Sequence, residues 1–185
     1  MKKILAFAAL MVVAYLAFRL VPVSEPPPIL GRLPEFSFTD IQGRKVDNTS
    51  LHDGSWAINF FFSSCPKICP AINSKLKALS LENPELNLLS ISVDPERDTA
   101  EALANYAAKL ELPLERWHFV TLPKAESAKF AEQIMLYLGD TTEEHNTRVV
   151  FTDHMGQIRG SFRGNDAEFE AEARALISGI RNEHR

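Results

Sequence analysis

Apolar and polar positions divide the chain into two unlike parts. The first is an unbroken apolar run from Ile4 to Phe18. The second, beyond residue 33, is a series of short apolar blocks separated by polar turns. Phe36-Ser37-Phe38-Thr39-Asp40 alternates as a half-buried strand does, Ile41-Gln42-Gly43-Arg44 turns it, and Lys45-Val46-Asp47 returns. Trp56 to Phe62 is apolar nearly throughout and predicts a central strand buried on both faces; Leu86 to Val93 predicts a second. Between them Ile72, Leu76 and Leu79 recur at helical spacing over Ala71 to Leu81, and Glu82-Asn83-Pro84 ends that helix. Ala100 to Leu110 predicts a helix capped by Asp98 or Thr99. A short strand over Trp117 to Leu122 and a helix over Ala125 to Leu138 follow. Arg148 to Thr152 and Gln157 to Phe162 form a hairpin around Asp153-His154-Met155-Gly156, and Asp166 to Ile180 is a closing helix. Strands alternating with helices predict an α/β domain with a central mixed sheet and helices on both faces.

The N-terminal run follows Lys2 and Lys3, is extended by Leu20 to Val23, and contains Arg19, which can snorkel. No small-x-small cleavage site follows it, and no cysteine is there to carry a lipid. It predicts a retained single-pass signal-anchor over residues 1–23. The orientation places the remainder outside the cytoplasm; in a bacterium that is the inner membrane with the domain facing the periplasm, where cysteines can oxidise. Residues 24–33, with Pro26-Pro27-Pro28, predict a stiff extended spacer, and residues 34–185 the globular domain.

An apolar fraction of 45% provides for a real core. Net charge is −4, and the part beyond Arg19 holds 17 basic against 24 acidic residues, a balance that argues against nucleic acid as a partner.

Both cysteines of the chain, Cys65 and Cys69, stand in Ser63-Ser64-Cys65-Pro66-Lys67-Ile68-Cys69-Pro70, directly after the first central strand. The element order suggests a thioredoxin-like fold with Cys65 just beyond that strand. Residues four apart on a regular helix have Cβ atoms about 5–6 Å apart, whereas a disulfide wants about 3.8 Å. A Cys65–Cys69 disulfide therefore requires an irregular turn, while two thiolates holding one soft metal ion tolerate the wider spacing. Pro66 and Pro70 resist a continuous helix through the loop, and Pro70 suits the first turn of the next helix, whose N-terminus lowers thiol pKa values. The spacing permits redox chemistry and metal binding alike.

A two-sulfur metal site needs a third ligand, and the chain offers His52, His118, His145, His154 and His184. His184 is at the C-terminus and His118 at a strand start reads as structural. In a thioredoxin-like arrangement the loop entering the late hairpin, with His145, lies beside the cysteines, and the far turn with His154 points away. Asp94-Pro95-Glu96-Arg97-Asp98 reads first as a charged loop; at the same sheet edge, Asp94 is the candidate for supporting the site or docking a partner.

Cys65-Pro66-Lys67-Ile68-Cys69-Pro70 after an aromatic strand resembles the Cys-Pro-x-x-Cys-Pro motif of the Sco/SenC copper proteins. Ser90-Ile91-Ser92-Val93-Asp94-Pro95-Glu96-Arg97-Asp98-Thr99 and Trp117-His118-Phe119 are similar to two further signatures of that family. The resemblance covers roughly residues 33–181. It implies a membrane-anchored, thioredoxin-like metallochaperone that binds Cu(I) or Cu(II) through Cys65, Cys69 and His145. Such proteins help assemble the dinuclear copper centre of cytochrome c oxidase, so the implied partner is its copper-receiving subunit or another copper chaperone. Two positions depart from the family pattern: Lys67 where an acid is frequent, and Glu144-His145-Asn146 where Asp-His-Ser is common. A thiol–disulfide oxidoreductase using Cys65 and Cys69, and a peroxidase-like enzyme using Cys65, are the alternative readings.

Overall fold

The computed structural model describes residues 26–136 and 147–183. The expected anchor over residues 1–23, His145 and His184 lie outside the described residues. Among the described residues no helix is long and apolar enough to cross a membrane.

Six strands form one sheet in the order β1-β8-β7-β4-β5-β6: β1 (Gly31–Arg32), β4 (Ser55–Phe61), β5 (Leu86–Ser92), β6 (Trp117–Thr121), β7 (Arg148–Thr152) and β8 (Gln157–Arg163). β4, β5 and β6 run parallel, and β7, β8 and β1 add antiparallel. The mixed sheet is thus the one the sequence predicts. β2 (Ser37–Thr39) and β3 (Lys45–Asp47) make a separate hairpin. The helices are α1 (Ile68–Glu82), α2 (Ala100–Lys109), α3 (Lys124–Leu136) and α4 (Phe169–Glu183).

Every residue of β4 and β5 is buried. Their unbroken apolar runs serve two cores at once. Ala57 and Phe61 of β4 join Leu76 and Leu79 of α1, Leu103 of α2 and Phe169 and Ile177 of α4 on one face. Trp56, Ile58 and Phe60 join Phe38 and Val46 of the hairpin and Phe130 and Ile134 of α3 on the other. Each large apolar side chain so buried contributes about 1.5–3 kcal/mol, which is why the pattern alone located these strands.

Two boundaries differ from the sequence reading. The closing helix begins at Phe169 rather than Asp166, because the turn before it is held elsewhere. Gly164 approaches Ile72 so closely that a Cβ there would meet its side chain at 2.9 Å. Lys75 Nζ donates to the carbonyls of Gly164 and Asp166 at 3.0 Å each. At the other end of the chain, the described part of the stretch read as a stiff spacer lies on the domain. Leu30 N–H donates to Ile158 O at 2.8 Å, and Pro27 O accepts from Arg159 at 2.6 Å. A two-residue strand between prolines carries no alternation, so β1 left no mark in the pattern.

Candidate functional site

β4 ends at Phe61, and the chain turns before α1 begins at Ile68. Cys65 N–H donates to Phe62 O at 3.2 Å, which closes the turn. Cys65 thus sits in an irregular turn, of the kind a Cys65–Cys69 disulfide requires. Pro70 occupies the first turn of α1, where its missing N–H costs nothing. No side chain caps α1; instead Cys69 N–H donates to Cys65 Sγ at 3.3 Å. The first sulfur thereby takes one of the donors that every helix start leaves unpaired.

The two thiols, both free, are unequal. Burial opposes ionisation of Cys65, but hydrogen bonds from the Cys69 backbone and thiol, and from the Lys67 and Ile68 N–H groups, outweigh it and hold the thiol below its ordinary pKa. Cys69 is buried; that burial, together with the adjacent Cys65 sulfur and the charge of Asp98, pushes it up to about 12 although the Phe62 backbone favours its ionised form. The arrangement is a more readily ionised thiol at the rim with a less readily ionised one beneath it.

Both sulfurs line one cleft of about 390 Å³ whose walls include Phe60, Phe62, Ile68, Ile72 and Val93. Thr147, the first described residue after His145, lines the same cleft. Gly164 N–H donates to Thr147 O at 2.8 Å, which fixes where the chain re-enters. Among the described residues no group of three metal-ligating side chains occurs.

The acid that reaches the thiol loop is Asp98, not Asp94. Asp98 is fully buried. Its carboxylate accepts the Ser63 N–H at 3.0 Å, the Ser63 hydroxyl, and the Ser92 hydroxyl at 2.6 Å. It binds the end of β5 to the loop carrying Cys65. Asp94 is partly exposed and pairs with Arg97 at 3.7 Å. The sequence reading treated Asp98 as a possible helix cap, whereas Thr99 does that work, accepting Ala102 N–H at 3.2 Å. The signal for Asp98 was present in the hydroxyls of Ser63 and Ser92, each at the end of a buried strand and needing a partner there.

Below the cleft lies a buried polar chain. Trp117 Nε1 donates to Ser90 Oγ, Ser90 to Asn59, Asn59 to Asn73 and Asn73 to the Tyr106 hydroxyl, at 2.6 to 3.1 Å. Asn59, the one polar residue inside the β4 run, is thereby satisfied and locks β4, β5, α1 and α2 together under the thiols.

The other described histidines lie away from the cysteines. His118 Nδ1 meets Asp40 Oδ2 at 2.8 Å and its ring stacks on Trp56. Burial lowers its pKa against the pull of Asp40, and its contacts make it the structural histidine the sequence suggested. His52 is exposed before β4, and His154 stands in the β7–β8 turn beside Gly54 and Glu85. Both are at the end of β4 remote from Cys65.

The family model described as SCO1/SenC matches residues 32–178. The chain belongs to the SCO1/SenC family. This SCO1/SenC protein is 32% identical over 109 residues to the SCO1 protein homolog of Bacillus subtilis, a match covering 56% of each chain. The chain therefore spans just over half the length of that relative. In structure it resembles BsSco, described as a member of the Sco family of cytochrome c oxidase assembly proteins with a disulfide switch. The TM-score is 0.67 at 22% identity, over 84% of this chain and 98% of that one. It also resembles Bradyrhizobium japonicum ScoI with copper bound, with a TM-score of 0.57 at 27% identity, over 78% of this chain and 96% of that one. These likenesses establish the expected thioredoxin-like α/β architecture of the SCO1/SenC domain.

Proposed function

We propose that this SCO1/SenC protein is a copper metallochaperone that carries the ion on Cys65, Cys69 and His145. It hands copper to the dinuclear copper centre of cytochrome c oxidase, from an anchor at residues 1–23 in the bacterial inner membrane with the domain in the periplasm. The observation that carries this reading is the shared cleft: both sulfurs line it, Cys69 N–H donates to Cys65 Sγ, and Thr147, two residues beyond His145, is on its wall. Copper bound to the Bradyrhizobium relative supports it, as does the role in oxidase assembly described for BsSco.

The donors fit the ion. Soft thiolates select Cu(I), and an imidazole completes three-coordination or supports Cu(II). Both ligands bind as thiolates, so loading sends their protons to solvent, that of Cys65 leaving more readily than that of Cys69. Binding accordingly weakens in acid. The apolar walls shield the buried Cys69 sulfur, while Cys65 stays partly exposed at the rim. Joining Cys65 to Cys69 as a disulfide removes both sulfur donors, so the redox state of the pair gates loading. Transfer proceeds by ligand exchange with cysteines of the receiving subunit.

The test is Cu(I) affinity of the reduced full chain by anaerobic competition with a chelator. The wild type is expected to bind one ion tightly, His145→Ala to lose about tenfold or more in affinity, some 1.4 kcal/mol per decade, and Cys65→Ser or Cys69→Ser to lose tight binding altogether. Weak binding unaffected by His145→Ala sinks the three-ligand site.

The inequality of the thiols favours a second reading, thiol–disulfide exchange. The Cys65 thiolate attacks a partner disulfide and forms a mixed disulfide. Cys69, losing its proton, displaces the partner's second sulfur; the partner gains two electrons and Cys65–Cys69 becomes the disulfide. In this reading His145→Ala leaves the rate of partner reduction unchanged.

A further inference from the structure

Cys65 lines two cavities, one on each side of its loop. The first is the apolar cleft already described, on whose rim Ile68 and Val93 are 44% and 42% exposed. The second, about 600 Å³, lies toward α2 and is lined by Ser64, Pro66, Pro70, Asn105, Tyr106 and Lys109. Among the described residues, Lys67 is the one charged side chain lining the first cavity and Lys109 the one lining the second. No carboxylate among the described residues lines either. Neither ammonium takes part in an ion pair or hydrogen bond among the described residues. In a chain of net charge −4, two unpaired cations thus flank one thiol at the surface.

We infer that this face docks an extended segment of a partner protein, one carrying a cysteine with an apolar side chain on one flank and a carboxylate on the other. In an extended segment the residues two before and two after the cysteine share its face. A segment crossing the Cys65 loop drops its apolar side chain between Phe62, Ile68 and Val93. Its carboxylate, on the other side of the loop, meets Lys109, with Lys67 adding positive charge beside Cys65, and its sulfur arrives at Cys65. The inference deepens the proposed function and rests on the thiol pair being an exchange site, whether for copper or for electrons. Complementary charge at an exposed rim acts on encounter rate and partner choice more than on affinity, so the test is kinetic.

The full chain carrying Cys69→Ser, with Cys69→Ala as a second background, keeps Cys65 as its sole thiol. It is mixed at low salt with short peptides whose single cysteine is a pyridyl disulfide. The Cys65 thiolate attacks the peptide sulfur, the interchain disulfide forms, and the released thiopyridone reports the rate. The peptides differ only two before and two after the cysteine: Leu with Glu, Leu with Lys, or Ser with Glu. Each rate is divided by that for dipyridyl disulfide, which removes changes in the reactivity of Cys65 itself. The Leu–Glu peptide is expected to react about tenfold faster than Leu–Lys, a preference that fades as salt rises to about 1 M. The preference should reverse in Lys67→Glu/Lys109→Glu, and Ile68→Asp should abolish the advantage of Leu over Ser. Equal rates for all three peptides, or a preference unmoved by the double charge reversal, overturns the docking face. The assay contains no copper, so the two readings fail separately. Discrimination with weak copper binding keeps the docking face and removes the chaperone reading; tight copper binding without discrimination removes the docking face alone.

Discussion

The two ends of β4 each bury a charge, and they treat it in opposite ways. At the far end Arg159 is almost wholly enclosed and meets Asp153 at 2.8 Å, with Glu183 and the carbonyl of Pro27 as further partners. At the cysteine end Asp98 is as deeply buried, but its partners are hydroxyls and a backbone N–H, with no cation among them. The first charge is cancelled, and the cluster only pins the hairpin, the end of α4 and the N-terminal stretch together. The second is solvated by neutral donors and keeps its field, which Cys69 feels as a push toward the protonated form. A buried ion pair fastens structure; a buried anion held by hydroxyls adds its field to the burial that already keeps Cys69 protonated.

Breaking the far cluster should have the largest effect on stability and none on the thiols. Asp153→Ala leaves the guanidinium of Arg159 buried against Glu183 alone and strips the acceptor for Met155 and Gln157 N–H. A loss of about 3–5 kcal/mol is expected in urea unfolding. Glu183→Ala, whose carboxylate is one-third exposed, should cost under about 1 kcal/mol. In both variants Cys65 should react with dipyridyl disulfide at the wild-type rate. A changed rate in Asp153→Ala would mean that the two ends are not independent.

Asp98→Asn comes next. The shape survives, but the charge and one acceptor go, costing about 1–3 kcal/mol. Removing the anion lowers the pKa of Cys69 from about 12. At any fixed pH between about 8 and 11, spanning the ordinary thiol range, the variant should carry more thiolate, read as absorbance at 240 nm. The sign follows from linkage. A thiol whose folded pKa is raised costs stability as pH rises from its unfolded value toward the folded one. Asp98→Asn should therefore lose less stability than the wild type over that window. Identical titration curves would strip Asp98 of its electrostatic role and leave it a fastener like Arg159.

What the sequence disclosed follows from how locally each feature is encoded. The continuous apolar runs of β4 and β5 fixed the central strands, since burial on two faces admits few other patterns. His118 read as structural because it starts a strand beside Trp117, and it stacks on Trp56 as a core residue does. Cys65 and Cys69 were located by their place after β4. The exchange of Asp94 for Asp98 was not legible, because which carboxylate of Asp94-Pro95-Glu96-Arg97-Asp98 turns inward depends on a loop whose only regular bonds are turns, such as Asp98 N–H to Asp94 O at 2.9 Å. Lys67 was visible inside the cysteine motif, but the overall acidity gave no sign of Lys109, since net charge carries no information on which residues share a cavity. His145 lies outside the described residues, and its part in the site remains a proposal.

The smallest effect tests whether the Asp98 result belongs to its carboxylate or to the loop. Asp98 and Thr99 are neighbours with separate duties: Thr99 accepts Ala102 N–H at 3.2 Å and starts α2, while Asp98 faces the cysteine loop. Thr99→Ala removes the cap and should cost about 1 kcal/mol. It leaves every donor to Asp98 in place, so the thiolate absorbance should match the wild type at each pH. If Thr99→Ala raised thiolate content as far as Asp98→Asn does, the loop's position and not the buried charge would set Cys69, and the contrast between the two ends of β4 would reduce to one of packing.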